Sequence, residues 1–190
     1  MLANETRIGS IQAAVSSILR AVGENPDREG LIGTPSRVAR MYDELLGGYA
    51  ADPVAPLNNA LFDAEYDEMV VVSGIEFHSL CEHHMLPFSG VANVAYLPDR
   101  QIVGLSKIPR IIDMYARRLQ IQERMTKQIA ETLSTLVEPL GVGVVLTASH
   151  MCSSIRGVRT RGSKMTTSSM LGEFRTNRST REELLSHIRC

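Results

Sequence analysis

The stretch Ser79-Leu80-Cys81-Glu82-His83-His84-Met85-Leu86-Pro87-Phe88 limits the fold more than any other, because it packs a thiol, a carboxylate and two imidazoles into four consecutive residues. Such a group has no use in an apolar core or on an idle surface. Its chemistry points to a metal. Cys81 and His84 stand three apart, close enough to bind one ion from a single turn, and both are preferred zinc ligands. Two ligands hold zinc weakly, so a third must come from elsewhere in the chain. His150-Met151-Cys152 supplies the candidate, with a second Cys close to a His. The fold must therefore bring two distant segments together. Three protein ligands leave a fourth position open, which is the arrangement of a catalytic zinc rather than a structural one.

Taken singly, each of these residues has a plainer reading: a lone His is usually solvated or satisfied, and a lone Cys is usually a small buried hydrophobe. Their clustering in two places makes that reading weak. Thiolate plus imidazole suits zinc better than magnesium or calcium, which prefer oxygen. The spacing does not match a zinc finger or ribbon, nor the His-x-Glu plus Cys-x-x-Cys pattern of zinc nucleobase deaminases. With Cys81, His84 and Cys152 as ligands, His83 and His150 are left to move protons near neutral pH. Spacing alone does not decide which histidines near the metal are free. Glu82 is placed to orient a ligand. The third cysteine, Cys190, lies outside both clusters, so no disulfide framework is expected, although ligands of one ion sit close enough for a Cys81–Cys152 disulfide on oxidation.

The formal net charge of −1 argues against a dedicated nucleic-acid or membrane-surface protein, while still permitting a local basic pocket. No apolar run is long enough to span a bilayer and the first residues lack a signal-peptide pattern, so a cytoplasmic protein is expected. A length of 190 residues suits one catalytic domain with an extension. The division expected is an N-terminal helical extension over 1–50 and a catalytic domain over 51–190.

Helical spacing runs from about Glu5 to Val22, with Ile8, Ile11, Val15, Ile18, Leu19 and Val22 on one stripe, and breaks at Asn25-Pro26. Thr34-Pro35 announces a second helix, with Thr34 as cap, stopping at Gly47-Gly48. Residues 50–67 read as a connecting loop. The pattern then turns extended: Met69–Ser73 and Gly90–Leu97 predict strands flanking the Cys81–His84 cluster, and Ile102–Leu105 is a further short apolar piece. A helix pair follows, one carrying Ile108, Ile111, Ile112, Tyr115 and Leu119, the other running from Met125 to Val137. Arg117-Arg118 reads as a solvated helix face. Val142–Ser149 is a strong strand that delivers His150, and Ile155–Val158 and Met165–Met170 predict two more around an Arg161-Gly162 turn. Thr180-Arg181-Glu182-Glu183 has capping-box spacing and predicts a last helix reaching Ile188. The class is α+β: a mainly antiparallel sheet interrupted by a helix pair, with helices at both ends.

Four segments then identify a family. Cys81-Glu82-His83-His84, Gly104-Leu105-Ser106-Lys107-Ile108, Gln120-Ile121-Gln122-Glu123-Arg124 and His150-Met151-Cys152 with Arg156-Gly157 stand in the order and spacing of GTP cyclohydrolase I, and the similarity runs from Thr34-Pro35 to Ile188. One departure is Ser153-Ser154, where the family is usually larger or less polar. The resemblance implies the tunnelling fold, in which antiparallel sheets from several subunits close into a barrel, and a homo-oligomer, a decamer of two pentamers. It also implies a zinc-dependent reaction converting GTP and water to formate and 7,8-dihydroneopterin triphosphate. In that reaction His83 resembles the proton donor to N7 of guanine, and zinc lowers the pKa of bound water to about 7. His150 and Ser106 resemble the residues that work on the ribose. Glu123, with Gln122 beside it, resembles the carboxylate that accepts from guanine N1–H and its amine; read without the family it is a helix-start Glu favoured by the helix dipole. Lys107, Arg110 and Arg156, together with Arg37, resemble the triphosphate ligands, and the absence of a Gly-x-x-x-x-Gly-Lys loop means side chains must hold the phosphates. Two alternatives are a zinc-stapled binding module without turnover and a deazaguanine reductase of the same fold class.

Overall fold

In the computed structural model, which describes residues 4–53, 60–63 and 65–188, the chain divides into two units, up to residue 47 and from residue 48 onward. In the first unit the apolar stripe forms helix α1 (Asn4–Ala21), followed by α2 (Thr34–Leu45). Ile18 and Val22 leave the expected stripe and are exposed, whereas Ile8, Ile11, Val15 and Leu19 are half-buried. Thr34 is the first helical residue and not the cap, which is Gly33, while Pro35 takes its expected place in the first turn. Where the helical pattern breaks, Asn25 Oδ1 accepts from Asp27 N–H at 3.0 Å.

The second unit is built on a five-stranded sheet of β2 (Val70–Cys81), β3 (Pro87–Leu97), β5 (Leu119–Gln120), β6 (Gly141–His150) and β7 (Met165–Gly172), in the order β5-β2-β3-β6-β7. All neighbours are antiparallel except β2 and β5, which run parallel through Leu80–Leu119 and Cys81–Gln120. Both strands around the metal-like cluster are longer than the sequence pattern predicts, because Phe77, Ser79 and Phe88 continue the buried alternation up to the turn. Cys81 is therefore the last residue of a strand. A separate pair, β1 (Leu61–Asp63) with β4 (Gln101–Val103), falls partly within the stretch read as loop. Three residues carry too little periodicity to announce a strand.

Helices α3 (Lys107–Ala116) and α4 (Gln122–Val137) cover one sheet face. Ile108, Ile111, Ile112, Met125, Ile129 and Leu133 pack there against Phe77, Phe88, Val94, Val144 and Leu146, all nearly sealed from solvent. Truncating one such aliphatic to Ala is expected to cost about 2–5 kcal/mol. Leu119, expected on the helix with Tyr115, lies instead in β5, since the chain extends after Arg117 to pair with β2. Arg118 is not on a helix face either: its Nε donates to Gly48 O at 3.0 Å and its guanidinium stands 4.8 Å from the Tyr115 ring centre. Gly48 is required at that junction, because a Cβ there would lie 2.0 Å from Met114 O.

The opposite face is covered at one end by Phe174 and Leu184, from the short helix α6 (Glu173–Thr176) and α7 (Arg178–His187), where they pack on Ala95. Thr180 does not cap α7. Asn177 does, accepting from Ser179 N–H, which places the first turn three residues earlier than the capping-box spacing suggests. Ile155–Val158, expected as a strand, follows the one-turn helix α5 (Met151–Ser154) as an exposed loop with Gly157 at φ +62. Ile155 and Val158 are exposed and find no partner strand. Cys190 lies outside the described residues. Among the described residues no helix is long and apolar enough to cross a membrane.

Candidate active site

Strand β2 ends at Cys81 and a tight turn follows, in which the Met85 N–H donates to Cys81 O at 2.8 Å and the Cys81 N–H to Leu86 O at 2.9 Å. Met85 takes a left-handed conformation (φ 54) to close it. The turn lifts His84 back over the strand end. From the other side, β6 runs antiparallel to β3 until His150 pairs with Phe88, and α5 then starts at once and turns Cys152 inward. Sheet register thus joins the two sequence clusters.

The ligand atoms of Cys81, His84 and Cys152 lie within 4.8 Å of one another. Tetrahedral zinc with bonds of about 2.0–2.3 Å places its donors roughly 3.5–3.8 Å apart, so small side-chain rotations complete the site. Burial first, and then the hydrogen bond and charge of Cys81, push the Cys152 thiol above its usual pKa, with the Arg156 charge opposing. A divalent cation beside the Cys152 thiol reverses that balance. Thiolate, thiolate and imidazole form a donor set that fits zinc.

Beside the three donors lies a cleft of about 250 Å³ lined by Cys81, His83, Gln122, Glu123, His150 and Cys152, with Gln120, Ile121 and Met165 completing it. The first turn of α4 therefore delivers Gln122 and Glu123 to the same place as the metal-like group. Glu123 is exposed to the cleft, whereas Gln122 is 1% exposed. The Gln122 amide nitrogen donates to Leu146 O (3.1 Å), Met165 O (3.0 Å) and Thr167 Oγ1 (3.1 Å). Its oxygen is left to face His150 Nε2 at 2.9 Å. Since two carbonyls demand the amide hydrogens, the oxygen cannot exchange places with the nitrogen, and His150 must carry its hydrogen on Nε2. Nδ1 is then the basic atom of the neutral ring. Phe88 stacks on His150 with ring centres 4.7 Å apart and planes 3° from parallel, which fixes the imidazole plane. Burial holds His150 below the usual imidazole pKa, with the Glu123 charge opposing.

His83 stands differently. Its side chain is largely exposed, with Nδ1 3.9 Å from Cys81 Sγ and Nε2 3.9 Å from Glu82 Oε1. Glu82 also accepts from Arg124 Nη1 at 2.7 Å, and that hydrogen bond holds its carboxyl below the ordinary carboxylate range. The pair fastens the metal turn to α4. Neither Arg124 nor Phe88 stands out in the sequence; an Arg two residues after a buried Gln, and a Phe seven after a Cys, carry no signal until register places them.

The remaining expected residues are not gathered here. Ser106, the residue before α3, Lys107 and Arg110 lie at the start of α3 and do not line the cleft. Arg156 lies in the exposed loop after α5, and Arg37 is exposed on α2 in the first unit. Ser153 and Ser154 are half-buried in α5 and do not line the cleft, so their departure from the family pattern does not alter its wall in this chain.

The family model described as GTP cyclohydrolase I matches residues 11–189. The chain is 52% identical over 185 residues to GTP cyclohydrolase 1 of Chlorobaculum tepidum, covering 97% of this chain and 83% of that protein. It is 52% identical over 175 residues to GTP cyclohydrolase 1 of Leptospira biflexa, covering 92% and 96%. To GTP cyclohydrolase 1 of Rattus norvegicus it is 50% identical over 186 residues, covering 98% and 77%.

Proposed function

The chain belongs to the GTP cyclohydrolase I family, and from that premise we propose that the cleft beside Cys81, His84 and Cys152 is where GTP is opened. The protein converts GTP and water to formate and 7,8-dihydroneopterin triphosphate. One observation carries the assignment of the site: three soft donors from two distant segments meet at the edge of a cleft that also holds two histidines and a carboxylate. Cys81, His84 and Cys152 would hold zinc, which when bound would supply Lewis acidity to activate water at neutral pH. A zinc-stapled binding module needs a fourth protein donor, and among the described residues the group contains three.

The chain's own residues then divide the work. Glu123 accepts from guanine N1–H and the exocyclic amine with its two oxygens, which a single carbonyl could not do. His83, exposed and next to a ligand, gives a proton to N7 and makes C8 electrophilic, with Glu82, itself tied to Arg124, 3.9 Å from its Nε2. His150 takes protons at Nδ1 while Gln122 holds Nε2–H and Phe88 holds the ring plane. Its range of action is the ribose, which must open and rearrange before the new ring closes, and Ser106 assists at the same hydroxyls. Lys107, Arg110 and Arg156, with Arg37, hold the triphosphate.

That Ser106, Lys107 and Arg110 do not line the cleft of their own chain supports a site completed across subunits. We take the assembly to be the tunnelling-fold barrel, a decamer of two pentamers, in the cytoplasm. The edge strands β5 and β7 offer backbone groups for pairing between copies, and closure of such edges leads to a ring. The product class serves folate, biopterin or modified-base synthesis. The test is GTP turnover by the zinc-loaded protein, scored by formate and by pterin fluorescence after oxidation, repeated after chelation and after zinc is restored. Activity that survives complete removal of the metal refutes the zinc reading.

A further inference from the structure

From Pro139 to Gly172 the chain contains no Asp or Glu, yet it carries Arg156, Arg159, Arg161 and Lys164 within nine positions. In a protein of net charge −1 that segregation is local and marked. The segment from Ile155 to Lys164 is an exposed loop, and both of its anchors line the cleft: Cys152 before it and Met165 after it. The loop also folds back on its origin, because the Thr160 N–H donates to Ser153 O at 3.1 Å. Arg159 and Arg161 therefore flank a residue tied one position from a metal ligand. None of the four cations forms an ion pair with a carboxylate among the described residues.

One residue of this loop is costly to hold. Gly157 and Gly162 take positive φ (62 and 77), and so does Arg159 (φ 51), where a residue with a Cβ costs about 1–2 kcal/mol. A strained arginine that neutralises no internal charge is better explained by an external anion than by stability. Lys164 differs, since it lines a groove of about 350 Å³ on the sheet surface together with Glu76 and His78.

Resting on the GTP reading, we propose that Arg159 and Arg161 form a cationic collar whose long-range attraction gathers the triphosphate at the cleft, with neither guanidinium in direct contact with it. A patch of one sign beside a low-dielectric cleft raises the encounter rate of an oppositely charged ligand by about 10–10³-fold, and salt removes the gain as the Debye length falls from about 10 Å to 3 Å. Arg156 would bind the phosphates on arrival; Arg159 and Arg161 act earlier and from farther away.

The experiment compares the wild-type zinc enzyme with Arg159→Gln/Arg161→Gln and with Arg159→Lys/Arg161→Lys, measuring kcat and KM for GTP from low to high ionic strength. The neutral variant should lose roughly five- to twentyfold in kcat/KM at low salt, keep kcat within about twofold, and converge on wild type as salt rises. The lysine variant should follow wild type throughout. Calorimetry with inorganic tripolyphosphate should show weaker binding to the neutral variant only, a readout that does not depend on turnover. An unchanged kcat/KM at low salt, a deficit that persists at high salt, or a lysine variant as impaired as the neutral one overturns the collar. If wild type fails to turn over GTP, the functional reading fails, and the tripolyphosphate series still decides whether the collar attracts polyphosphate.

Discussion

Replacing Gln122 by Met should release His150 while leaving the metal in place. The side chain is 1% exposed and its amide donates to Leu146 O and Met165 O, so a flipped amide would set its oxygen against both carbonyls and deprive them of those donors. At about 1–3 kcal/mol for each unsatisfied buried group, the flip costs about 2–6 kcal/mol, which makes the Nε2–H form of His150 dominant by at least thirtyfold. The Thr pair reinforces the direction: Thr126 donates to Gln122 O at 2.7 Å, so Thr167 donates to Thr126 and keeps lone pairs for the Gln122 amide. Met fills a similar volume without polar atoms. The variant should then lose about 2–6 kcal/mol of stability, lose roughly ten- to a hundredfold in kcat, and retain its zinc. Nitrogen-15 NMR of the imidazole is the assay. Wild type should show protonated Nε2 and basic Nδ1, and the Gln122→Met protein a mixture of the two tautomers. A wild-type ring with its hydrogen on Nδ1, or a variant with unchanged tautomer and rate, refutes the reasoning.

Cys81→Ala, His84→Ala and Cys152→Ala should each lose zinc and activity together, whereas His83→Ala should keep zinc and lose turnover, as metal analysis beside rate measurement will show. Glu82→Ala should weaken zinc binding about 10–100-fold in a chelator competition, because the turn loses its tie to Arg124. Glu123→Gln should impair both KM and kcat for GTP, since an amide donor then faces a guanine donor; undiminished turnover would remove Glu123 from recognition. Mixing inactive His83→Ala and Ser106→Ala chains after dissociation should restore part of the activity if the site spans subunits, and confirmed exchange without recovery would assign both residues to one chain's site.

The metal-like group was legible because thiols and imidazoles at close spacing are rare without a use. Its assembly was also foreseeable in part, since Val142–Ser149 is a strong strand pattern that ends on His150. What spacing could not reveal is register: Phe88 meets His150, and Arg124 meets Glu82, only because β3 pairs with β6 and α4 follows directly on β5. Gln122 illustrates the same limit. Beside Glu123 it resembles a substrate ligand, and no spacing announces that in the structure every polar atom of its side chain is engaged by the protein, its oxygen by His150. Local signals failed where tertiary pairing overrode them. Leu119 continued a helical stripe yet extends to pair with Leu80, and Ile155–Val158 had β-like composition but no neighbouring strand to join. The caps shifted for a simpler reason: Thr34 and Thr180 are acceptable caps, but Gly33 and Asn177 precede them at the point where the backbone turns.

The most direct test of the account follows one carbon atom. GTP labelled with carbon-13 at C8 of guanine, incubated with the zinc-loaded protein, should yield labelled formate in equal amount to an unlabelled pterin triphosphate. The label should appear in no other product. Labelled guanosine diphosphate or guanine, or label retained in the pterin, would contradict the claim that this site opens the five-membered ring at C8.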